Sequence, residues 1–198
     1  MVDERTISVY DQQSETYRDL ISRQSSDPTL LAFIRRIKPG GFVLDLGCGP
    51  ATASAAMREQ GLRVDPVDAS VEMISLANDT HDISARVATF EDIDVESTYD
   101  GIWANFSLLH VPASDFARIV SALHRALKPG GIFHLGMKTG SGAGRDRLGR
   151  YYVYYSEKEL IGILDSAAFD VIETKVGEGR GLSGDVSPWV ALSCLAMK

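Results

Sequence analysis

The stretch VLDLGCGP, residues 43–50, decides how the rest of the chain is read. Its apolar run suits a buried strand, Phe42–Leu46, and its two closely spaced glycines suit a sharp turn from that strand into a helix. Glycine accepts positive φ and lets a ligand approach the backbone closely. Asp45, an acid inside the apolar run, needs a reason of its own.

On both sides of this stretch, apolar runs alternate with helical patterns. Upstream, Ser26 and Asp27 can cap a helix whose first residue is Pro28; LLAFIRRI supplies its apolar face and Lys38-Pro39-Gly40-Gly41 ends it. Downstream, a helix over 51–60 closes at Gly61 and an extended segment follows over 62–67. Pro66 cannot donate a ladder hydrogen bond, so a bulge or an early end is expected there. Ser70 caps a short helix to Ala77, a third strand covers 85–90, and Tyr99–Asn105 is a fourth. Over 114–127, Phe116, Ile119, Val120, Leu123 and Leu127 share one helical face. Lys128-Pro129-Gly130-Gly131 then turns the chain into a fifth strand over 132–137. Ser156 and Glu159 form a capping-box pattern for a helix reaching Ala167. Strands over 171–176 and 189–197, with GEGRGLSGDVSP between them, are expected as an antiparallel hairpin at the sheet edge. The alternation predicts an α/β fold, a mostly parallel sheet with helices on both faces.

The chain of 198 residues is long enough for one well-buried domain and short for two. Its 44% hydrophobic and 24% charged residues match globular composition, and it carries no repeat and no low-complexity tract. A formal charge of −7 disfavours nucleic acid and anionic membrane surfaces as partners. The first residues, MVDERTISVY, lack the pattern of a signal peptide, and no apolar run approaches the roughly 18 residues of a membrane span. With only Cys48 and Cys194 present, a reduced, cytoplasmic setting without cross-links is expected. The four histidines are scattered without paired ligand spacing, so no metal site is expected.

In an open parallel sheet, ligands sit beyond the carboxyl ends of the strands where strand order reverses. The first strand-to-helix turn, here Gly47-Cys48-Gly49, belongs to that site. Asp68 follows the turn by about 20 residues at the end of the second strand, where an acid accepts both hydroxyl hydrogens of an adenosine ribose. A turn that merely reverses the chain would not need that acid. A dinucleotide would bring its pyrophosphate to the helix start, where the Asp45 carboxylate would oppose it. S-adenosylmethionine carries a sulfonium and an ammonium, both cationic, which a nearby acid favours.

VLDLGCGP resembles the first motif of the class I S-adenosylmethionine-dependent methyltransferases. Asp68-Ala69-Ser70 with Met73 looks like the second motif, Tyr99-Asp100 like the fourth, and Leu127-Lys128-Pro129-Gly130-Gly131 like the turn before strand five. The resemblance runs over about residues 39–176, in the family's order. It implies a Rossmann-like doubly wound sheet of about seven strands with an antiparallel C-terminal edge strand. It also implies one domain over 1–198: an N-terminal helical lid region over 1–38, a cofactor-binding core over 39–137, and an acceptor side over 138–198. The Gly47-Cys48-Gly49 backbone would then cup the methionine part, Asp68 hold the ribose, and Ala69 and Met73 flank the adenine. After strand three the family often places an acid at the adenine edge; this chain has Thr89 there, leaving Phe90, Glu91 and Asp92 as candidates. Ala104, Asn105 and Phe106 would end strand four under the methyl group, and Tyr10 and Tyr17 would close over the cofactor. Ala51 stands where a third glycine is common.

Methyl transfer from a sulfonium needs alignment and exclusion of water rather than a protein nucleophile. For a hydroxyl or amine acceptor, His110 is the candidate general base, with bracing of its loop as the alternative role. The loop KTGSGAGRDRLGRYYVYY is rich in arginine and tyrosine and points to a small anionic or aromatic acceptor held by Arg145, Arg150 and Tyr151. A transfer RNA- or protein-directed methyltransferase, and an NAD(P)-dependent oxidoreductase on the same sheet, are the competing functions.

Overall fold

The computed structural model describes residues 3–21 and 27–197, so the expected cap at Ser26 lies outside the described residues. Two short helices, α1 (Glu4–Gln12) and α2 (Ser14–Ile21), precede α3 (Pro28–Arg36), whose start is capped by Asp27 accepting the Thr29 N–H at 2.7 Å. The chain then alternates through β1 (Phe42–Leu46), α4 (Thr52–Glu59), β2 (Arg63–Asp68), α5 (Val71–His81), β3 (Arg86–Val87), β4 (Tyr99–Asn105), α6 (Ala113–Ala126) and β5 (Leu127–Lys138). A small hairpin, β6 (Ala143–Arg145) and β7 (Tyr151–Val153), interrupts the pattern before α7 (Glu157–Ser166), β8 (Phe169–Arg180) and β9 (Val186–Ala196).

Seven strands form one sheet in the order β3-β2-β1-β4-β5-β9-β8. The first five are parallel; β9 runs antiparallel between β5 and the outermost strand β8, which gives the expected hairpin at the sheet edge. Strand alternation sends consecutive residues to opposite faces. Leu44, Leu46 and Ile102 pack on one face with α6 and α7 residues such as Phe116, Leu123 and Leu160. Val43 and Trp103 pack on the other with Leu30, Phe33 and Ile34 of α3 and Met57 of α4.

Three expectations change in detail. Strand β2 runs straight through Pro66, which pairs opposite Asp45, with neither bulge nor early end. Arg63 N–H donates to Gly41 and the Val67 carbonyl accepts from Gly47, so odd-numbered residues direct their backbone towards β1. Pro66 therefore turns its nitrogen to the opposite side, where β3 begins only at Arg86, across from Val67, and no ladder bond is lost. Strand β3 covers two residues rather than 85–90 because Thr89 donates N–H and Oγ1 to Asp92, each at 2.8 Å, which draws Phe90–Asp92 into a 3-10 turn. The final hairpin is longer than expected. Gly177 and Gly179 extend β8 because the Trp189 indole lies against them: a Cβ on Gly177 would approach Trp189 Cζ2 to 2.5 Å. The Lys128-Pro129-Gly130-Gly131 turn is looped out within β5, whose pairing with β4 passes from Leu127 to Ile132. Among the described residues no helix is long and apolar enough to cross a membrane.

Candidate active site

Strand order reverses between β1 and β4, and a cavity opens beyond the carboxyl ends of β1, β2 and β4. Its floor is Gly47 and Gly49, its walls include Asp68, Ala69, Met73, Ala88, Thr89, Phe90 and Phe106, and its roof is Thr6, Ile7, Tyr10 and Tyr17. The floor is built by a turn in which Gly47 (φ 75°), Gly49 (φ 53°) and Ala51 (φ 58°) all occupy the left-handed region. Ala51 accepts this strain where glycine would relieve it. Gly47 N–H and Cys48 N–H both donate to the Val67 carbonyl, at 2.8 and 2.9 Å, fastening the turn to β2. Asp68 accepts from Gly49 N–H through Oδ2 and from Ser70 N–H through Oδ1, both at 2.9 Å; burial nevertheless pushes its carboxyl above the ordinary value.

The lining contains no lysine or arginine among the described residues. A pyrophosphate would find no side-chain counter-ion there, whereas a cationic ligand would meet Asp68. Ser107 Oγ also lines this cavity, buried and without a hydrogen-bond partner, which marks a polar position for a ligand to satisfy. The residues present therefore fit the nucleoside sulfonium that the sequence indicates.

Several expected contacts fall elsewhere. Asp45 does not line the cavity; it is 2% exposed behind the turn, where it accepts a 2.7 Å hydrogen bond from Ser54 Oγ of α4. Any effect it has on a bound cation acts through space. Cys48 turns its thiol back to the Gly49 carbonyl and Ala104 is fully buried in the sheet, so neither side chain reaches the cavity. At the adenine edge Asp92 is held by Thr89, and Glu91 pairs with Arg118 at 3.5 Å, which leaves Ala88, Thr89 and Phe90 as the wall. Asn105 accepts from His134 at 3.1 Å through Oδ1 and lines a second cavity instead. Thr6, Ile7, Ser70 and Ser107 were not legible as site residues; only the strand-end rule pointed to the Ser107 neighbourhood.

Tyr10 and Tyr17 do cover the site, on two helices broken at Gln13, with ring centroids 5.5 Å apart. The cover is tied down at several points. Asp11 accepts from Ser70 Oγ at 2.5 Å, Tyr151 N–H donates to Thr6 Oγ1 at 2.8 Å, and Asp3 accepts two bonds from Arg145 at 2.9 and 2.7 Å. Arg150 Nη1 donates to Tyr10 Oη at 2.9 Å, and Tyr10 Oη is 3.0 Å from His110 Nε2. His110 Nδ1 lies 2.6 Å from the Tyr151 carbonyl, an obligate acceptor, so Nδ1 carries the proton and Nε2 accepts from Tyr10. Burial pushes His110 down to about 4, so the ring is neutral at pH 7. This geometry gives His110 the positioning of Tyr10 rather than a free lone pair aimed at an acceptor.

The second cavity, of about 400 Å³, adjoins the first and shares Tyr10, Tyr17 and Phe106 with it. Phe106 stands at the junction in a left-handed conformation (φ 58°), a strained placement for a bulky residue. Lys138, Arg150, Tyr152, Arg180 and Trp189 complete much of the wall. Of the expected acceptor contacts only Arg150 lines it. Arg145 is committed to Asp3 and the Gly149 carbonyl, and Tyr151 lies beside Arg145 outside the lining. The β6–β7 hairpin explains the difference, because strand alternation points Tyr152 inward where Tyr151 was expected. Lys138 and Trp189 were missed because they converge only through the β5–β9 pairing, in which they are direct partners.

Comparison with known proteins agrees with this architecture. Residues 43–131 match the family described as a methyltransferase domain. The cypemycin N-terminal methyltransferase of Streptomyces sp is 34% identical over 136 residues, 65% of this chain and 56% of the relative. The ubiquinone biosynthesis O-methyltransferase of Xylella fastidiosa (strain 9a5c) is 36% identical over 115 residues, 53% of this chain and 46% of the relative. The chain thus spans about half the length of the curated relatives it matches. A crystal structure of Burkholderia thailandensis 1,6-didemethyltoxoflavin-N1-methyltransferase, with 1,6-didemethyltoxoflavin and S-adenosylhomocysteine bound, has the same fold. The TM-score is 0.71 at 21% identity, covering 96% of this chain and 88% of that one. Residues 43–131 are thus similar to a methyltransferase domain, and the fold is that of the solved methyltransferase structure.

Proposed function

We propose that the chain moves a methyl group from S-adenosylmethionine to a small-molecule acceptor, leaving S-adenosylhomocysteine. The observation that carries this reading is the junction of two cavities of opposite character. The first has Asp68 and no lysine or arginine among the described residues, the second has Lys138, Arg150 and Arg180, and Tyr10, Tyr17 and Phe106 belong to both. When bound, the cofactor would supply an electrophilic methyl carbon, open to in-line attack by the acceptor's lone pair as the carbon–sulfur bond breaks and its electron pair goes to sulfur. Within the reading, 1–38 form the lid region, 39–137 hold the cofactor and 138–198 face the acceptor.

The chain's own residues bind, align and exclude water. Asp68 accepts from the ribose hydroxyls, Ser107 Oγ satisfies a polar group of the amino-acid portion, and Phe90 and Met73 cover the base. Tyr10, held by Arg150 and His110, closes the junction against solvent, which strengthens every charge interaction inside. The net charge of −7 gives little to hold a polyanion, which disfavours a transfer RNA acceptor.

Thermal unfolding with S-adenosylmethionine, S-adenosylhomocysteine, NAD and NADP tests the reading, since a ligand of the folded state raises the midpoint. The two S-adenosyl compounds are expected to stabilise; stabilisation by NAD or NADP alone overturns the assignment. Asp68→Ala is expected to weaken S-adenosylhomocysteine binding by about 2 kcal/mol through loss of a charged acceptor, measurable by calorimetric titration.

A further inference from the structure

We propose that the second cavity selects a planar acceptor bearing an acidic group, with its ring against Trp189 and Phe106 and its anion paired with Lys138 and Arg180. The inference rests on the methyl-transfer reading and narrows its substrate class. A volume of about 400 Å³ accommodates a small molecule. Trp189 is held flat on β8 by the absent side chains of Gly177 and Gly179, and its ring meets Phe106 edge-on with centroids 6.4 Å apart. These rings frame a slot beside the junction with the first cavity, where a flat acceptor would lie next to the methyl donor.

The charges in the cavity are not equivalent. Arg150 is neutralised in place: Asp146 Oδ2 accepts from its Nε at 3.0 Å and its Nη2 at 2.7 Å, and Tyr10 takes Nη1. Lys138 has no such partner. Among the described residues it makes no ion pair, and its ammonium lies 4.7 Å from the centroid of the Tyr152 ring. Burial and the Arg150 charge lower the Lys138 pKa, outweighing the opposing charges of Asp146 and Asp185, neither of which pairs with it. Arg180 donates Nη1 to the Gly184 carbonyl at 2.7 Å and makes no ion pair among the described residues. Among the described residues the one acid in the lining, Asp27, is used as the α3 cap. Two cations without an ion pair among the described residues, beside two aromatic walls, match an arene carboxylate or a comparably acidic ring.

The test uses calorimetric titration of the full chain, saturated with S-adenosylhomocysteine, against two probe pairs: 4-hydroxybenzoate with 4-hydroxybenzamide, and 1-naphthoate with 1-naphthamide. At least one carboxylate is expected to bind about tenfold more tightly than its amide. Lys138→Gln is expected to remove that preference while leaving S-adenosylhomocysteine binding unchanged, and Trp189→Ala to weaken acid and amide alike. If S-adenosylhomocysteine itself fails to bind, the methyl-transfer reading fails and this inference with it. If it binds but neither carboxylate exceeds its amide, or the preference survives both Lys138→Gln and Arg180→Gln, the acidic-acceptor inference alone is overturned.

Discussion

Asp45→Asn is expected to stabilise the folded chain at pH 8 by up to about 4 kcal/mol. Asp45 is 2% exposed and its one side-chain hydrogen bond comes from Ser54. Burial is the main force raising its pKa to about 7; the Ser54 bond opposes the shift and the neighbouring Asp68 charge adds to it. A carboxyl whose folded pKa is raised binds its proton more tightly when folded. Its stabilising effect is therefore complete below the ordinary carboxylate pKa and declines as pH rises, until it is lost above about 7. An asparagine cannot ionise, so the variant should keep its stability across that window and match the wild type near pH 4. Urea unfolding at several pH values reads both effects, and an unchanged free energy at pH 8 would show that the carboxylate is satisfied where it stands. On the proposed reading, a bound sulfonium would offset part of this cost through space. The same variant should accordingly lose more affinity for S-adenosylmethionine than for S-adenosylhomocysteine, which lacks the positive sulfur. Removing an unfavourable buried charge at a binding site commonly exchanges function for stability.

What the sequence made legible follows from how local each signal is. The β1 turn, the Ser70 and Ser156 caps and the α6 stripe depend on residues within a few positions of one another, and each forms at or near its expected bounds. Asp68 and Gly49 could be paired from spacing because the intervening unit is a standard strand–helix–strand. Asp45 shows the limit: its place in the motif was legible, but the inward side of β1 at that position was not, so an expected site residue proved to be a buried brace for α4. The second cavity was least legible. Arginine-rich composition identified the loop, yet the β6–β7 hairpin decides that Arg150 and Tyr152 face inward while Arg145 and Tyr151 bond to Asp3 and Thr6 at the start of α1. Lys138 and Trp189 are distant in sequence and adjacent only across the β5–β9 ladder, a long-range pairing that no local pattern announces.

Asp146→Asn should have the largest destabilising effect, about 3 kcal/mol, because it leaves the Arg150 guanidinium buried without its counter-charge. The two side chains are 9% and 3% exposed, unlike surface pairs such as Arg18 with Glu15, whose loss should be nearly silent. Asp146 also accepts the Leu148 and Arg150 N–H groups through Oδ1, each at 3.0 Å, so one carboxylate shapes the β6–β7 turn and anchors the arginine. Burial raises its pKa, but the Arg150 hydrogen bonds and charge outweigh burial and hold it below the usual carboxylate range. A depressed folded pKa contributes stability that is present above the ordinary carboxylate value and lost as pH falls through the lower one. Wild type and variant should therefore differ fully at neutral pH and converge in acid. Arg150 in turn holds Tyr10, so the variant should also loosen the cover, seen as faster proteolysis within residues 3–21 at temperatures well below unfolding. The double variant Asp146→Asn with Arg150→Met separates charge from shape. It should recover part of the lost stability because no unpaired guanidinium remains, but it should stay protease-sensitive because Tyr10 has lost its donor. A loss below about 1 kcal/mol in the single variant would place the pair in water, and Arg150 would then be available to the acceptor after all.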